Sequence, residues 1–393
     1  MLADDFLRYQ AKTTPYPMGM EVKRAKGSYI IDHKGKKHLD FVAGVSACSL
    51  GHRHPAVVRA IKKQLNRYLH VMVYGEYAQS PAVALCKLLA QQLPPSLEVT
   101  YLTNSGTEAI EGAMKLAKRV TGKRGFVAAQ QAYHGSTQGA LSLLGVEEQK
   151  KGYFPLLEEV DFIPFNDKEA LGKITATTAA VVLETIQGGA GFIVPQKDYL
   201  KAVKARCEEV GALLILDEIQ PGIGRTGKLF AFEHYDVIPD ILVIGKGLGG
   251  GMPIGAFCSA ATHMQELTHS PSLGHITTFG GNPVIAAAAL ATLETIFRKK
   301  IMHEVDEKEA LFRELLVHPK IEKINGRGLM LAPILKDEKE VPKVVEACLK
   351  KGLILFFLLW EKKALRISPP LNISRREIKK GCNILLSVLD ELS

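Results

Sequence analysis

Short continuous runs of apolar residues alternate along the chain with longer segments whose apolar positions recur every three or four residues. The short runs include Ala179 to Leu183, Leu213 to Leu216 and Ile241 to Ile244. Runs of this length, bounded by turn residues, indicate buried parallel strands. Val99 to Leu102 and the segment GFVAAQ from Gly125 predict further strands.

The longer segments predict amphipathic helices. Between Pro55 and Leu69, the apolar residues Val57, Ile61 and Leu65 fall at helical spacing. The other predicted helices run from Ser80 to Leu93, from Glu108 to Val120, from Lys197 to Val210, and from Asn282 and Pro283 through Ala291 to Ile296.

The two ends of the chain predict mixed structure. Gly27 to Phe41 indicates a β-hairpin in which Gly35 supplies the turn. The C-terminal part alternates helical stretches with strands such as GRGLMLAPIL and GLILFFLL. Its apolar run from Leu353 to Trp360, like that from Phe41 to Leu50, is well short of the roughly 18 residues that a membrane span needs. We expect both runs to be buried core segments.

Two of the predicted strands are followed by an ionisable residue, Asp217 in one case and Lys246 in the other. The carboxyl ends of parallel strands open onto the ligand crevice of a sheet, so this acid and this lysine should converge there. Pyridoxal phosphate needs both groups, since a lysine amine forms a Schiff base with its aldehyde and a carboxylate keeps its ring nitrogen protonated. The alternative for either residue alone is a strand-end side chain that faces water.

The segment NSGTEA, between the Val99 strand and the Glu108 helix, offers a site for a phosphate group. A strand, a tight turn and a helix leave backbone N–H groups unpaired at the positive end of the helix dipole. Ser105, Gly106 and Thr107 would hold the phosphate, and their small side chains let the backbone come close. Ser and Thr also cap helices without any ligand.

Composition is typical of a globular protein. At 393 residues, with 23% charged residues, the chain is long enough for a large core and probable division into two domains. The start MLADDFLRYQ is not a secretory signal, because it has two acids and no apolar core. Six cysteines without CxxC spacing predict reduced thiols in a cytoplasmic protein, with no zinc site and no disulfide framework.

A net charge of +9 raises the question of a nucleic acid or membrane partner. The basic pairs, however, are spread along the chain and interleaved with acids, and no nucleic-acid motif occurs. We therefore expect a solvated basic surface, with no nucleic acid and no membrane as partner.

The stretch LLILDEIQPGIGRTGKLFAFEHYDVIPDILVIGKGLGG, from Leu213 to Gly250, resembles the signature of the class III pyridoxal-phosphate aminotransferases. These include acetylornithine, ornithine, 4-aminobutyrate and ω-amino-acid transaminases, and further matches run from about Tyr29 to Pro370. The resemblance implies the α/β architecture called fold type I, with a mainly parallel seven-stranded sheet and a small domain from both termini. It places the small domain in residues 1–50 and 300–393 and the large cofactor-binding domain in residues 51–299.

The resemblance also implies roles for single residues. Lys246 and Asp217 would be catalytic, and Tyr133 would stack on the cofactor ring beside His134, another cofactor-binding residue. Gln220 would contact the ring hydroxyl, and Glu184 would contact the cofactor and form an ion pair with Arg366. Arg366 would bind a substrate carboxylate, and Ser46 would contact the substrate. Arg225 would fix the glycine-rich loop, and Thr278 would reach the cofactor phosphate of the neighbouring subunit in a homodimer.

Ser136 departs from the pattern of the family. The acetylornithine, ornithine and 4-aminobutyrate branch usually has an arginine at this position, where its guanidinium grips a substrate carboxylate. A serine cannot replace it, and other ω-transaminases that resemble this sequence have YHGST-like loops. The sequence therefore predicts weak use of N-acetylornithine.

These features predict ping-pong transfer of an amino group from an amino acid or ω-amine to a 2-oxo acid, either 2-oxoglutarate or pyruvate, through a Schiff base on Lys246. Lys246 would act as general base and acid in the proton transfer. Two alternatives remain. An aminomutase or racemase needs the same Lys246 and Asp217 but no acceptor, and a non-catalytic binding protein could keep the fold without needing the lysine.

Overall fold

The computed structural model of the protein describes residues 2–392. Its strands, numbered in chain order, are β1 (Val22–Lys26), β2 (Tyr29–Asp32), β3 (Lys37–Asp40), β4 (Val99–Thr103), β5 (Gly125–Ala129), β6 (Val160–Ile163), β7 (Thr178–Glu184), β8 (Leu213–Asp217), β9 (Ile241–Gly245), β10 (Gly255–Ser259), β11 (Ile321–Arg327), β12 (Met330–Leu335), β13 (Leu353–Ile354), β14 (Phe356–Phe357) and β15 (Leu365–Arg366).

Helices cover the sheet and build much of the C-terminal part. They are α1 (Leu2–Tyr9), α2 (Ala43–Ser46), α3 (Pro55–Leu65), α4 (Ser80–Gln92), α5 (Gly106–Thr121), α6 (Gln138–Ser142), α7 (Tyr199–Val210), α8 (Ala261–Gln265), α9 (Pro283–Arg298), α10 (Val305–Leu315), α11 (Glu340–Lys351) and α12 (Arg375–Glu391). No helix in residues 2–392 has the length and apolar character that crossing a membrane requires.

The central sheet has seven strands in the order β4-β10-β9-β8-β7-β5-β6. The pairs from β9 to β6 are parallel, whereas β10 runs antiparallel to both of its neighbours. Glu184 lies opposite Asp217, and Asp217 lies opposite Val243, so β7, β8 and β9 end at one edge. The prediction of a mainly parallel seven-stranded sheet is confirmed.

Both faces of this sheet are buried, which explains why its strands are continuous apolar runs. Along β7, Val181 and Leu183 pack into the larger core cluster, while Ala180 and Val182 pack into a second cluster on the opposite face. Alternate residues of a strand point to opposite faces, so a strand between two helical layers has no position for a polar side chain until its end.

The helix ends follow from local sequence. The Ser105 side chain accepts the N–H of Glu108 at the start of α5, and Gly122 ends this helix in the left-handed region with φ of 67°. The Asn282 side chain caps α9, in which Pro283 is the first residue. The helix predicted up to Leu69 ends earlier, at Leu65, where the Asn66 cap closes the last turn.

The N-terminal and C-terminal parts of the chain pack against each other. Strand β3 belongs to a small sheet with β1 and β2 and pairs in parallel with β13. Beyond it, the Ser368 N–H donates to the Phe41 carbonyl at 2.7 Å, and the Leu371 N–H donates to the Ser49 carbonyl at 2.8 Å. The segment that precedes the large sheet is therefore fastened to the last quarter of the chain.

The apolar run Leu353 to Trp360 is not a fully buried segment, so that prediction was wrong. Leu355 and Leu358 are buried, but Phe357 is 43% exposed and Leu359 is 49% exposed. These two side chains border a cavity at the carboxyl edge of the sheet. Apolar residues at the mouth of a cavity have the same composition as core residues, so sequence could not separate the two.

Candidate active site

A cavity of about 600 Å³ opens at the edge where β7, β8 and β9 end. Predicted site residues from separate parts of the chain line it, namely Gly106, Thr107, Tyr133, His134, Glu184, Asp217, Gln220, Lys246 and Arg366. Three further residues of the predicted site, Ser105, Ser46 and Thr278, do not line it. Among residues 2–392 there is no cluster of His, Cys, Asp or Glu that could hold a metal ion.

Lys246 follows the last residue of β9 and begins a short turn, with its backbone in the left-handed region at φ of 37°. Burial lowers the pKa of Lys246 to about 8, an effect that the charge of Asp217 opposes and the charge of Arg366 reinforces. A lysine with this pKa has a substantial neutral fraction near neutral pH. The neutral amine is the form that attacks an aldehyde.

Asp217, at the end of β8, is 3% exposed and has both carboxylate oxygens occupied. Oδ1 accepts the Ile219 N–H at 2.9 Å, and Oδ2 lies 2.8 Å from Nδ1 of His134. Burial opposes the charged form of His134, but the hydrogen bond to Asp217 and its charge prevail and raise the pKa of His134. Through this hydrogen bond His134 fixes the direction in which Asp217 points.

Glu184, at the end of β7, is buried, whereas the usual expectation for a strand-end glutamate is exposure to solvent. Its carboxylate accepts the N–H groups of Tyr133 at 3.1 Å and Gly188 at 2.8 Å. Among residues 2–392, no ion pair joins Glu184 to Arg366, so the structure contradicts that predicted pair. Burial raises the pKa of Glu184 to about 7, partly offset by the charge of His134.

The N-terminus of α5 faces the cavity. The N–H groups of Gly106 and Thr107 donate to no described residue, as expected in the first turn of a helix. The Ser105 hydroxyl caps α5, accepting the Glu108 N–H at 3.3 Å, and its place in the phosphate site stays a prediction. An anion can still bind here through the two free N–H groups and the helix dipole.

The loop Tyr133 to Thr137 packs against this helix terminus. A Cβ added at Gly135 would collide with the Thr107 hydroxyl, so glycine is required for the loop to come this close. The Thr107 hydroxyl lies 2.8 Å from that of Thr137, and Glu111 accepts the Gly139 N–H at 2.9 Å. Glu111, one turn into α5, therefore holds the loop that carries Tyr133, a role that sequence reasoning missed.

The residues present fit pyridoxal phosphate. Gly106 and Thr107 supply N–H groups for a phosphate, and the half-exposed ring of Tyr133 supplies an aromatic wall. Ile219 also lines the cavity, and its side chain packs so tightly on Gly106 that an added Cβ would lie 2.7 Å from its Cδ1. Sequence reasoning missed Ile219, although its position two residues after Asp217 is a detectable signal.

Arg366, the last residue of β15, is a basic residue in the wall of the cavity that also contains Lys246. It is 5% exposed, Nη1 has no partner among the described residues, and its guanidinium carbon lies 5.8 Å from the centre of the Phe192 ring. Burial lowers the pKa of Arg366 to about 10, so it stays protonated at neutral pH. A buried guanidinium with a free N–H is a binding site for a carboxylate.

The mouth of the cavity is apolar and contains residues that sequence reasoning did not assign. Phe356, Phe357 and Leu359 line it together with Val45. Ser136 is also in the lining, and its hydroxyl lies 3.2 Å from that of Tyr133. Strand β14 pairs with β15, which places the two phenylalanines beside Arg366.

Ser46, Gln220 and Arg225 lie at different depths around the cavity. Gln220 lines the cavity and its Nε2 donates to the buried Ser46 hydroxyl at 3.5 Å, so Ser46 stands behind Gln220. Arg225 is buried outside the cavity and donates to the carbonyls of Leu329 and Pro369. It joins the glycine-rich loop to the C-terminal part, as predicted.

Thr278 lies outside the cavity of its own chain. It is exposed, and its hydroxyl lies 3.3 Å from that of Tyr74. Thr277, beside it, accepts the Asn104 side-chain amide at 2.8 Å and so fixes the start of this segment to the turn before α5. Phe279 and Ile276 on the same segment are exposed apolar side chains.

Comparisons with known proteins give a consistent result. The family model described as aminotransferase class-III matches residues 9–389. An acetylornithine aminotransferase of Caldanaerobacter subterraneus subsp. tengcongensis is 39% identical over 389 residues, covering 96% of each chain. A putrescine aminotransferase of Pectobacterium atrosepticum is 38% identical and matches 99% of this chain and 86% of its own length. The solved ornithine aminotransferase of Toxoplasma gondii ME49 superposes with a TM-score of 0.90 at 29% identity, covering 99% of this chain and 96% of that one.

Proposed function

This chain belongs to the class III aminotransferases, which depend on pyridoxal phosphate, and we propose that Lys246 is the residue that binds this cofactor. The enzyme moves an amino group from a small-molecule donor to a 2-oxo acid. The observation that carries the assignment of Lys246 is its position with Asp217, at the ends of adjacent strands, in one cavity that also contains the free N–H groups of α5. The relatives are aminotransferases, so the isomerase alternative is not favoured.

When bound, pyridoxal phosphate supplies an aldehyde for the amine and a ring that accepts an electron pair. With the cofactor bound, Lys246 Nζ would take the proton from the amino-bearing carbon of the donor and deliver it to the former aldehyde carbon on the other side of the nitrogen, a task to which its pKa of about 8 is suited. Asp217 holds a proton on the ring nitrogen, and His134 orients that carboxylate at 2.8 Å. Gly106 and Thr107 bind the phosphate, and Tyr133 sets the plane of the ring.

The test of this assignment is the substitution Lys246→Ala in protein purified with ample pyridoxal phosphate. We expect loss of the visible absorbance of lysine-bound cofactor, loss of borohydride-fixed cofactor on the chain, and loss of turnover. Lys336→Ala, on the far side of the C-terminal part, should keep all three. Turnover by the Lys246→Ala enzyme at the parent rate would refute the role of Lys246.

We also propose a substrate class. Arg366 lines the cavity with a guanidinium nitrogen that has no partner among the described residues, and Ser136 brings no positive charge to the loop after Tyr133. The apolar mouth formed by Phe356, Phe357 and Leu359 favours a donor whose stem is uncharged. The donor is therefore an ω-amino acid or a simple amine, and Arg366 binds the carboxylate of the acceptor, either pyruvate or 2-oxoglutarate.

A substrate screen tests this class directly. Purified enzyme is offered ω-amino acids, simple amines, ornithine and N-acetylornithine, each with pyruvate and with 2-oxoglutarate. We expect the first two groups to be used best and N-acetylornithine to be used weakly. Rapid turnover of N-acetylornithine would contradict the argument from Ser136 while leaving the assignment of Lys246 intact.

The enzyme is further proposed to be a homodimer in which Thr278 binds the cofactor phosphate of the neighbouring subunit. Its exposed position outside its own cavity, next to exposed Ile276 and Phe279, supports this arrangement. Mixed dimers of a Lys246→Ala chain with a Thr278→Ala chain should contain one site with both residues intact, and so half of the parent activity. If Thr278 served its own chain, neither site of the mixed dimer would be intact.

A cytoplasmic location and the division of the chain into domains at residues 1–50, 51–299 and 300–393 also stay predictions.

A further inference from the structure

A second cavity, of about 500 Å³, shares no lining residue with the active-site cavity. It is formed by the small N-terminal sheet, the segment before α3 and the outer face of α12. Five basic side chains line it, and no acidic residue does; they are Arg24, Lys26, Lys37, Arg53 and Lys380. The half-buried Tyr29 and the buried Ile31 complete its wall. We call this group of residues the basic cavity.

Strand register explains why so many cations meet in the basic cavity. Arg24 lies opposite Ile31, and Ile31 lies opposite Lys37, so these three form one row across β1, β2 and β3. Lys26 lies opposite Tyr29 in the next row on the same face. Residues opposite each other in antiparallel strands have Cβ atoms about 5 Å apart, and alternate residues share a face. Three cations therefore project from one small area of sheet.

The other two cations come from elsewhere in the chain and close the basic cavity. Arg53 follows the bridge between Gly27 and His52, which attaches its segment to the end of β1. Lys380 extends from α12, and its ammonium nitrogen lies 5.4 Å from the centre of the Tyr29 ring. Four separate elements thus contribute positive charge to the same space.

No acid in the described chain neutralises these cations. None of the five forms an ion pair with a residue of the described chain, in contrast to Lys204, Lys320 or Arg313 elsewhere. Two carboxylates on the neighbouring elements have their hydrogen bonds to other groups and do not line the cavity. Glu377 accepts the N–H and hydroxyl of Ser374 in the capping box of α12, and Asp32 binds His38.

Like charges gathered on one sheet face destabilise the fold unless a counter-charge is present. From this geometry we propose that the basic cavity is a binding site for a small polyanion that carries two or more phosphate groups. Arg24 and Arg53 provide planar forks that match phosphate oxygens, and the lysines provide further point charges. Its volume lies within the range of small-molecule sites, roughly 300–1,000 Å³.

The size of the cavity and the spread of its charges favour this ligand class over others. A single phosphate or carboxylate would satisfy one or two of the cations and leave the rest unpaired. A nucleic acid would need a longer stripe of positive charge than the five exposed cations of this single cavity offer. This site is separate from the cofactor site and does not rest on the proposed function.

The experiment titrates the holoenzyme, with its cofactor site saturated, with tripolyphosphate in a calorimeter at constant ionic strength. We expect saturable binding of one tripolyphosphate per chain, and much weaker binding of orthophosphate. Lys26→Glu/Lys37→Glu should weaken the binding roughly 10- to 100-fold, since two charge-assisted contacts become repulsive. Raising the salt concentration should weaken it in the parent enzyme as well.

Two further variants make the test specific. Lys197→Glu/Lys343→Glu changes the net charge by the same amount on exposed helices or loops outside the basic cavity, and it should bind like the parent. Arg53→Ala/Lys380→Ala removes two cations without changing the strands. If Lys26→Glu/Lys37→Glu folds poorly, the affinity of this second variant for tripolyphosphate tests the proposal. Turnover without tripolyphosphate should be unchanged in every variant. Absence of saturable binding to the parent, or equal binding by the cavity and control variants, would overturn the proposal.

Discussion

The deep end of the active-site cavity and its mouth differ in burial and in how their side chains are held in place. At the deep end, Asp217, His134 and Glu184 are buried, and each has hydrogen-bond partners at defined distances. At the mouth, Phe357 and Leu359 are about half exposed and belong to short strands and loops of the C-terminal part. The deep end is positioned by the ends of a rigid sheet, whereas the mouth can vary without disturbing that sheet. Chemistry therefore belongs to the first region and choice of substrate to the second.

The largest effect should come from the deep end. Asp217→Asn keeps the size of the side chain but removes the charge that holds a proton on the cofactor ring, so kcat should fall on the order of 10²- to 10³-fold or more with every donor. Steady-state rates with two unlike donors measure this. Asp240→Asn is the matched control, because Asp240 also binds a backbone N–H of β8, that of Leu214, and pairs with Lys204 outside the cavity. If kcat of Asp217→Asn fell with only one donor, the deep end of the cavity would contribute to substrate choice, contrary to our proposal.

A second prediction concerns stability at the deep end. Burial raises the pKa of Glu184 from 4.5 to about 7. Between these pH values the native state keeps a proton that the unfolded chain releases, so the free energy of unfolding falls as pH rises through this window. Glu184→Gln cannot titrate, so from pH 4.5 to 8 it should gain up to about 3 kcal/mol relative to the parent. Urea unfolding at pH 5 and pH 8 measures the difference, and parallel changes in both proteins would contradict the pKa.

A third prediction concerns the boundary between the two regions. Arg366→Lys keeps the positive charge but loses the fork that binds both oxygens of a carboxylate, so KM for the 2-oxo acid should rise roughly 10- to 100-fold. The half-reaction with a simple amine, followed as a single turnover, should change little because that donor has no carboxylate. Lys308→Arg, at a buried lysine outside the cavity, serves as a control for basic substitutions. Equal losses in both half-reactions would place Arg366 in the chemistry and not in acceptor binding.

The smallest effect should come from the mouth. Phe357→Ala removes a ring that is 43% exposed, so stability should change little. Its loss should lower kcat/KM about threefold to tenfold for donors with long apolar stems, in line with the partial burial of such a stem. The rate with a short donor should stay near that of the parent, which serves as the internal control. A uniform loss across donors would mean that Phe357 acts on the deep end.

The sequence predicted the deep end better than the mouth for a physical reason. Asp217 and Lys246 follow buried apolar runs, and the parallel sheet that such runs form brings strand ends together. Ser105 shows the limit of this reasoning, because a Ser before a helix can serve as a cap or as a ligand; the structure shows the cap, through the hydrogen bond from the Glu108 N–H. Among the described residues Glu184 forms no ion pair with Arg366, and its carboxylate accepts the backbone N–H groups of Tyr133 and Gly188.

The mouth could not be predicted because it depends on contacts between distant parts of the chain. Phe356 and Phe357 look like core residues until β14 is seen to pair with β15 beside Arg366. Ile219 was missed because an apolar side chain carries no chemical signal of its own, so only its position two residues after Asp217 could have marked it. Glu111 was missed because its role, which is to hold the loop of Tyr133, is set by a contact 28 residues away at Gly139.

The attachment of the first fifty residues to the last quarter of the chain has a consequence for biosynthesis. The backbone bonds from Ser368 to Phe41 and from Leu371 to Ser49 can form only after the ribosome has released almost the entire polypeptide. Until then β3 lacks its partner β13, and closing so large a loop costs entropy that no local contact repays. The N-terminal sheet therefore stays incomplete during synthesis, with apolar surface exposed, and such surface is bound by molecular chaperones. A polypeptide that ends before Arg366 has all seven strands of the large sheet but lacks the arginine that we propose for binding the 2-oxo acid.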